Sequence, residues 1–321
     1  MQQLVAELLE GNRRAAARLI SLVENDEPQK RELLKDVYPH TGNAYVIGVT
    51  GAPGSGKSSL VDWLLKQMRK DGLKIGVIAV DPTSPFSGGA ILGDRIRMQG
   101  HALDHDIFIR SMGTRGSLGG LSRATREAIQ VLDAFGKDII LIETVGVGQS
   151  EVDIVKTADS TLVVLTPAGG DSVQTIKAGI MEIADIFVIN KSDLPGADKT
   201  TTEINMMLDM KNSEAWRPPV VPTVSVSNEG IAELWSAIQD HRGYMENSGR
   251  LLEIRRDRVR RELTDQVEYL VKKQIWDRVK AKIELDSLVE KIVQRQKDPY
   301  SAAGDLLSKI DFYDQEREEG G

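Results

Sequence analysis

Three short runs of this sequence carry residue types that together can hold a purine nucleotide. The first, Gly51-Ala-Pro-Gly-Ser-Gly-Lys-Ser58, matches the pattern G-x-x-x-x-G-K-[ST]. In that pattern backbone N–H groups surround phosphates, the lysine reaches the outer phosphate, and the hydroxyl group is a ligand for Mg²⁺. The other two are Glu143-Thr-Val-Gly146 and Asn190-Lys-Ser-Asp193. The spacing predicts a site in which separate loops bind the phosphates and the base.

The third run predicts which base is bound. The Asp193 carboxylate can accept hydrogen bonds from the ring N–H and the exocyclic amine of guanine, whereas adenine lacks this pair of donors. A buried acceptor left unpaired costs about 1–3 kcal/mol, so the contact favours GTP and GDP over adenine nucleotides. Ser225-Val-Ser227 follows an apolar stretch and fits a loop that closes over the guanine carbonyl. The predicted ligand is a guanine nucleotide.

The predicted nucleotide-binding residues lie in the phosphate loop, at the start of the next helix, and in the loops that follow later strands. They are Gly51, Ala52, Pro53, Gly54, Ser55, Gly56, Lys57, Ser58, Ser59, Gly146, Asn190, Lys191, Asp193, Ser225, Val226 and Ser227. Gly146 is included because a glycine after an acidic strand end can bring its backbone N–H to the γ-phosphate. It can equally be an ordinary loop glycine.

Acidic residues at predicted strand ends supply the rest of the predicted chemistry. Phosphoryl transfer from GTP needs charge neutralisation and a positioned water, and Mg²⁺ takes oxygen ligands that include one or two carboxylates. We predict catalytic roles for Lys57, Asp81 and Glu143, and metal binding by Ser58, Asp81, Asp94 and Glu143. Each acid is alternatively a helix cap or a surface charge. Because no His, Gln or Arg in the sequence stands out as orienting the water, we expect slow intrinsic hydrolysis.

Apolar runs alternate with amphipathic stretches through the middle of the chain. This alternation predicts an α/β P-loop fold, with a doubly wound, mostly parallel sheet and helices on both faces. The expected strands are 45–50, 75–80, 107–110, 138–143, 161–166, 186–190 and 220–225. The first strand, the glycine loop and the helix after them would aim a helix N-terminus at the phosphates.

The predicted domains are an N-terminal helical extension at 1–42, a P-loop GTPase domain at 43–242, and a C-terminal helical region at 243–321. The apolar stripe of the last region is typical of a helix docked on its own domain, and equally of a dimerisation arm.

Composition excludes several classes of function. The 321-residue chain carries a formal charge of −7 and no cysteine. The acidic balance argues against general nucleic-acid binding, and the missing cysteines exclude disulfides and thiolate metal sites. No run approaches 18 consecutive apolar residues, so we expect no membrane span. The N-terminus has no basic-then-apolar leader, and cytoplasmic residence is expected.

Longer runs of the sequence resemble a known family. They are Ala79-Val-Asp-Pro-Thr-Ser84, Ser87-Gly-Gly-Ala-Ile-Leu-Gly-Asp-Arg-Ile-Arg-Met98, Arg115-Gly-Ser-Leu-Gly-Gly-Leu121 and Glu143-Thr-Val-Gly-Val-Gly-Gln-Ser-Glu151. These runs resemble the methylmalonyl-CoA mutase-associated GTPases, the MeaB/ArgK-like branch of the metallochaperone-related P-loop GTPases. An older label for this branch is LAO/AO transport kinase. The resemblance covers about residues 5–240.

The resemblance implies a GTP-hydrolysing chaperone that gates adenosylcobalamin loading and protects a cobalamin-dependent acyl-CoA mutase. It places Asp81, Asp94 and Glu143 in the Mg²⁺ and γ-phosphate network. It also implies a third switch that couples the nucleotide state to the mutase, with the candidate residues Asp171, Gln174 and Lys177. Members of the family are commonly homodimers through C-terminal helices, which favours a dimerisation arm here.

Two other functions remain as alternatives. The older label suggests a kinase of a transport protein, although the sequence has no protein-kinase signature. A nucleotide-dependent scaffold with incidental hydrolysis is the other, because no water-orienting residue is evident in the sequence.

Overall fold

The structure is a computed structural model of the chain. It describes residues 2–81, 99–101, 103–113, 123–144, 150–167, 181–210, 216–282 and 285–308. The chain divides into two compact units, Met1–Ile254 and Arg255–Gly321.

The N-terminal region is helical, as predicted. It forms α1 (Gln2–Leu9), α2 (Arg13–Glu24) and α3 (Lys30–Val37). The Asn12 side chain caps α2 by accepting hydrogen bonds from the N–H groups of Arg14 and Ala15, which satisfies donors that a helix start leaves open. Apolar residues three or four apart on α2 form its buried face: Ala15, Ala16, Leu19, Ile20 and Val23. Leu9, at the end of α1, is 41% exposed.

Parallel strands form the centre of the first unit. They are β1 (Tyr45–Gly51), β2 (Ile75–Asp81), β3 (Ile107–Gly113), β4 (Ile139–Thr144), β5 (Ser160–Leu165), β6 (Ile186–Asn190) and β7 (Val220–Thr223). Among the described residues these seven strands make one sheet, in the order β3-β2-β4-β1-β5-β6-β7. Every neighbouring pair is parallel, so all the carboxyl ends meet at one edge.

The predicted strands are confirmed, and the largest differences are at their ends. β3 continues to Gly113 instead of ending at residue 110. β7 ends at Thr223 instead of residue 225, because Val224 forms a bridge to Glu229 and closes a turn. That turn contains the predicted base loop.

Helices cover both faces of the sheet. Those between the strands are α4 (Lys57–Lys70), α5 (Arg123–Ala134), α6 (Ser150–Val155), α7 (Met181–Ile183) and α8 (Ala197–Asp209), and α9 (Ile231–Asn247) follows β7. Side chains of α4 and α9 share one core with alternate strand residues such as Ile47 and Leu162. The N-terminal helices and α5 share another core with the opposite strand face, including Val46 and Ile140. Burial on both faces explains the nearly continuous apolar strands.

The described residues from 250 to 308 are mostly helical, again as predicted. They form α10 (Arg250–Lys282), α11 (Leu285–Val293) and α12 (Pro299–Ser308). Several apolar side chains of α10 in the second unit are exposed: Val259 50%, Leu263 65%, Val267 51%, Leu270 40% and Val271 49%. Within the described part of the chain, none of the helices has the length and apolar character needed to span a bilayer.

Candidate functional site

Glycines shape the turn between β1 and α4. Gly51, Gly54 and Gly56 have φ angles of +143°, +78° and +90°, a region that side chains with a Cβ rarely adopt. Two of these positions are also crowded. A Cβ on Gly51 would lie 2.1 Å from the carbonyl oxygen of Val164, and one on Gly56 would lie 2.3 Å from Asn190 Nδ2. Glycine therefore lets the loop pass close to β5 and β6, with the N-terminus of α4 facing the carboxyl edge.

The first residues of α4 bring a cation and a hydroxyl group to this loop. Lys57 Nζ donates hydrogen bonds to the carbonyl oxygens of Gly51 at 2.8 Å and Ala52 at 3.0 Å. Ser58 Oγ donates to Glu143 Oε1 at 2.6 Å. Glu143 is there because β4 lies beside β1, with Glu143 paired to Val49. The structure thus brings together three residues that the sequence placed in one site.

This donor set fits Mg²⁺. Hydroxyl and carboxylate oxygens are the ligand types that the ion prefers, and it commonly keeps waters and substrate phosphates for its other positions. Ser58 and Glu143 are only 8% and 4% exposed, so a cation beside them would be partly shielded from solvent. The described residues contain no group of three or more His, Asp or Glu able to hold a metal ion. If Mg²⁺ were bound here, the oxygens of Ser58 and Glu143 could occupy only some of its six ligand positions.

The second predicted acid lies close by in the backbone. β2 ends at Asp81, and its neighbouring residues Ala79 and Val80 pair with Glu143 and Thr144. Asp81 is therefore at the same edge of the sheet, while its side chain lies outside the described part of the structure. Asp94, the remaining predicted metal ligand, also lies outside the described residues.

Asn190 connects the phosphate loop to the base loops. It ends β6 and is fully buried. Its Nδ2 donates to the carbonyl oxygen of Ser55 at 2.7 Å and to Ser225 Oγ at 3.1 Å. Its Oδ1 accepts from Thr223 Oγ1 and from the N–H of Ser225, both at 3.2 Å. All these groups belong to loops or strand ends, so one amide side chain fixes the spacing of three segments.

Lys191 adds a second connection. It has a left-handed φ of +60°, and its Nζ donates to the carbonyl oxygen of Gly54 at 2.9 Å. Asp193, two residues further on, is exposed. The neighbouring Leu194 is 38% exposed, and Val226 on the other loop is 84% exposed. The two loops therefore offer a carboxylate and apolar surface, the combination that suits a flat, polar-edged base.

Two hydroxyl groups below this edge were missed by the sequence reasoning. Thr144 Oγ1 donates to Thr50 Oγ1 at 3.1 Å, and both side chains are buried. The pair ties the end of β4 to the end of β1. The sequence feature that could have indicated them is a threonine at or next to the last position of each apolar run. Gly146, which follows β4, and the predicted third-switch residues Asp171, Gln174 and Lys177 lie outside the described residues.

A second polar cluster, also missed, lies at the amino edge of the sheet. The Tyr45 hydroxyl group is 2.7 Å from Ser160 Oγ, and Ser160 Oγ is 2.6 Å from His241 Nδ1. His241 Nε2 lies 3.5 Å from Asp185 Oδ1. The indole of Trp216 lies beside the imidazole of His241, with ring centroids 4.9 Å apart. These residues come from the starts of three strands, from α9 and from the segment before β7.

Burial shifts the pKa values in this amino-edge cluster. Desolvation lowers the pKa of His241 to about 4, so its imidazole is neutral near pH 7. Desolvation raises the pKa of Asp185 to about 7, opposed by the hydrogen bond from the Thr161 N–H. It also raises the pKa of Tyr45. In each case burial disfavours the charged form.

Comparison with known proteins identifies the family. The family model described as methylmalonyl Co-A mutase-associated GTPase MeaB matches residues 16–283. A Pyrococcus abyssi protein named as a GTPase is 55% identical over 314 residues, covering 97% of each chain. GTPase ArgK of Escherichia coli is 38% identical over 262 residues, covering 78% of each chain. The crystal structure of an LAO/AO transport system kinase has a TM-score of 0.70 at 28% identity, with 96% of each chain covered. The predicted family is confirmed: this chain belongs to the MeaB family of P-loop GTPases, which bind guanine nucleotides and hydrolyse GTP.

Proposed function

We propose that this GTPase is a chaperone of a cobalamin-dependent acyl-CoA mutase of the methylmalonyl-CoA mutase type. In this proposal GTP gates the loading of adenosylcobalamin and protects the mutase from inactivation. The observation that carries the proposal is the bracing of the phosphate loop by Asn190 and Lys191 in a chain of the MeaB family. Because these residues link the base loops to the phosphate loop, we expect binding of the base and binding of the phosphates to be coupled.

Lys57, Ser58 and Glu143 perform the phosphate chemistry in this proposal. Lys57 Nζ contacts carbonyl oxygens of its own loop, and a triphosphate offers it stronger, charged acceptors. Mg²⁺, when bound, would supply neutralisation of the charge on the phosphates. Ser58 and Glu143 would hold that ion, with Asp81 and Asp94 as further ligands, and the Gly146 N–H would bind the γ-phosphate.

Intrinsic turnover is slow in this proposal, because no residue has been assigned to orient the attacking water. Purified protein should hydrolyse GTP well below about one turnover per second, which is below the usual enzyme range. A stopped-flow phosphate assay measures this rate. A fast basal rate would mean that a water-orienting residue exists and was missed.

Asp193 selects guanine in this proposal. Asp193→Asn should lower GTP affinity by about 100-fold and raise affinity for xanthosine triphosphate, since xanthine has a carbonyl where guanine has its amine. Asp198→Asn, which changes another exposed acid on the adjoining α8, is the control and should bind GTP normally. Calorimetry with both nucleotides checks this. Unchanged GTP affinity in Asp193→Asn would put the base pocket elsewhere.

The partner assay tests the central proposal. Purified protein is mixed with a cobalamin-dependent acyl-CoA mutase from the same organism, and GTP turnover and adenosylcobalamin transfer are measured. We expect the mutase to change the GTPase rate, and nucleotide to change cofactor loading through a third switch at Asp171, Gln174 and Lys177. If no such mutase alters either quantity, the chaperone proposal fails.

The exposed apolar residues of α10 serve a homodimer in this proposal. Leu263, at 65% exposure, is a suitable probe, because an introduced charge at a buried contact is costly. Leu263→Glu should shift sedimentation from dimer to monomer. Leu103→Glu, at a residue that is 93% exposed in the first unit, is the control. A chain that is already monomeric would remove this part of the proposal.

A transport-protein kinase is the second candidate, favoured by the similarity to a solved structure named as an LAO/AO transport system kinase. The two functions differ in where the γ-phosphate goes. With labelled GTP, a chaperone GTPase transfers the label to water, whereas a kinase leaves it on a protein. Label on any protein in a whole-cell extract would favour the kinase.

A further inference from the structure

A side chain from the N-terminal helices holds the end of β3. Glu24, the last residue of α2, accepts a hydrogen bond from Arg110 Nη2 at 2.7 Å through Oε2. Its other oxygen, Oε1, accepts from the Gly113 N–H at 3.5 Å. Arg110 Nη2 also donates to Ser21 Oγ at 3.1 Å. The side chains of Glu24 and Arg110 are only 13% and 20% exposed, so solvent screens this ion pair weakly.

The end of β3 lies beside the end of β2. Parallel pairing sets Met112 against Val80 and Gly113 against Asp81. Within the described sheet β3 is the outermost strand, so strand pairing holds it from one side. The contacts from Ser21 and Glu24 of α2 hold β3 from the face of the sheet. Glu24 therefore stabilises a strand end that is directly paired to the backbone of Asp81.

The two oxygens of Glu24 have different partners, and together these contacts fix the position of the end of β3. Oε2 binds the guanidinium group of Arg110, and Oε1 lies near the backbone of Gly113. A carboxylate that contacts two groups fixes direction as well as distance. An apolar residue at the same place could cover β3, but it would leave Arg110 without its buried anion.

We propose that Glu24 is a positioning residue for GTP hydrolysis, acting through Arg110 and Gly113 on the end of β3 and so on Asp81. This inference rests on the proposed role of Asp81 in the catalytic network. A misplacement of about 1 Å in a catalytic group can cost about 100-fold in rate. Under this proposal the N-terminal helices are part of the catalytic scaffold, although they contribute no residue that contacts the nucleotide.

The first test separates positioning from general loosening of the N-terminal helices. Glu24→Gln keeps the shape of the side chain and removes its charge. We expect kcat for GTP to fall about 10-fold, with KM for GTP and Kd for GDP unchanged. Glu127→Gln is the matched control. Glu127 also pairs with an N-terminal residue, Lys30, at 2.8 Å, but no contact joins its side chain to the end of β3 within the described part. An equal loss of kcat in Glu127→Gln would overturn the proposal.

The second test asks whether the effect passes through Asp81. Glu24→Gln is placed in an Asp81→Asn background, and single-turnover hydrolysis is measured with excess protein. We expect no further loss of rate, because the group that Glu24 positions has been removed. A full additional loss would overturn the route through Asp81, as would an Asp81→Asn protein of normal rate. The mutase assay is independent of these results, so failure of this inference is distinguishable from failure of the chaperone proposal.

A third variant provides a test that holds even if Glu24→Gln folds poorly. Arg110→Lys keeps the positive charge but lacks the guanidinium Nη2 that donates to both Glu24 and Ser21. We expect it to fold and to lower kcat by less than Glu24→Gln does, again without a change in Kd for GDP. An Arg110→Lys protein with the full wild-type kcat would contradict the proposal.

Discussion

The carboxyl and amino edges of the sheet both bury polar side chains, but they are organised differently. At the amino edge Ser160, His241 and Tyr45 satisfy one another through side-chain contacts of 2.6 and 2.7 Å. At the carboxyl edge Lys57 and Asn190 contact backbone carbonyls of a loop whose glycines have positive φ. Exposed backbone and charged groups around such a loop are suited to an anion. A closed side-chain network is suited to holding strands and a helix together.

The amino edge shows how residue types alone can mislead. Ser160, His241 and Asp185 have the composition of a hydrolytic triad, yet Ser160 and His241 are 0% and 1% exposed. The serine hydroxyl group contacts Nδ1 and is also engaged by Tyr45. Trp216 lies against the imidazole ring. A substrate has no access to this serine, so the cluster is structural, whereas the glycine loop at the other edge leaves room for a ligand.

The largest expected effect is at the glycine loop. Gly56→Ala should lower GTP affinity by about 100-fold, or about 2.7 kcal/mol, because the new Cβ forces the loop away from Asn190. That Cβ would lie 2.3 Å from Asn190 Nδ2, whereas one on Gly54 would meet nothing within 4 Å. Gly54→Ala has a similar positive φ and is the matched control. Calorimetry should show a much smaller loss for Gly54→Ala. Equal losses would mean that φ alone, and not the contact with Asn190, makes glycine necessary.

The next largest expected effect is on the rate of GTP hydrolysis, which should depend on the carboxyl edge of the sheet and not on the amino edge. Glu143→Gln should lower kcat for GTP by about 100-fold, since it removes the negative charge proposed above to hold Mg²⁺ beside the phosphates. Ser160→Ala, at the amino edge, should leave kcat unchanged and lower stability by about 1 kcal/mol through the lost hydrogen bonds. Phosphate release and urea unfolding measure the two quantities. A kcat loss in Ser160→Ala would break the distinction between a reactive and a structural edge.

The difference between the two edges also explains why the carboxyl edge could be predicted from the sequence and the amino edge could not. The glycine loop, Asn190 and Asp193 are adjacent in sequence to apolar strands, and parallel pairing brings strand ends together. The fold and the grouping of Lys57, Ser58 and Glu143 therefore followed from local patterns. Residues 45, 160 and 241 have no common local signal, since they are far apart in sequence and meet only when β1, β5 and α9 pack.

Individual contacts at the site could not be predicted from the sequence for the same reason. The bond from Lys191 to Gly54 joins residues 137 positions apart. Thr50 and Thr144 face each other because β1 and β4 are neighbours, and strand order cannot be read from either run alone. Even where the function of a run is clear, its partners depend on the sheet topology.

The amino edge should control how stability responds to acid. Since burial lowers the pKa of His241 to about 4 from its ordinary value of 6.5, the unfolded chain binds a proton at a higher pH than the folded one does. The stability contributed by neutral His241 is present above pH 6.5 and is lost as the pH falls towards 4. Between pH 7 and pH 5 this loss is about 2 kcal/mol. His241→Asn should be less stable at pH 7 but should lose less on acidification, as measured by urea unfolding. A variant with the same acid response as wild type would show that His241 is not the titrating group.

The smallest expected effect is the pH dependence of stability that comes from Asp185, and its sign is opposite to that of His241. Burial raises the pKa of Asp185 to about 7 from its ordinary value of 3.8, so the folded chain holds its proton more tightly than the unfolded chain. Its contribution to stability is full below pH 3.8 and is lost as the pH rises through 7. Because 35% of the Asp185 side chain is exposed, solvent reduces the effect. Asp185→Asn can keep the bond from the Thr161 N–H and should lose less stability between pH 5 and pH 8 than wild type. If the variant lost more, the charged form of Asp185 would be stabilised by the fold, and the amino edge would resemble the carboxyl edge in holding a charge.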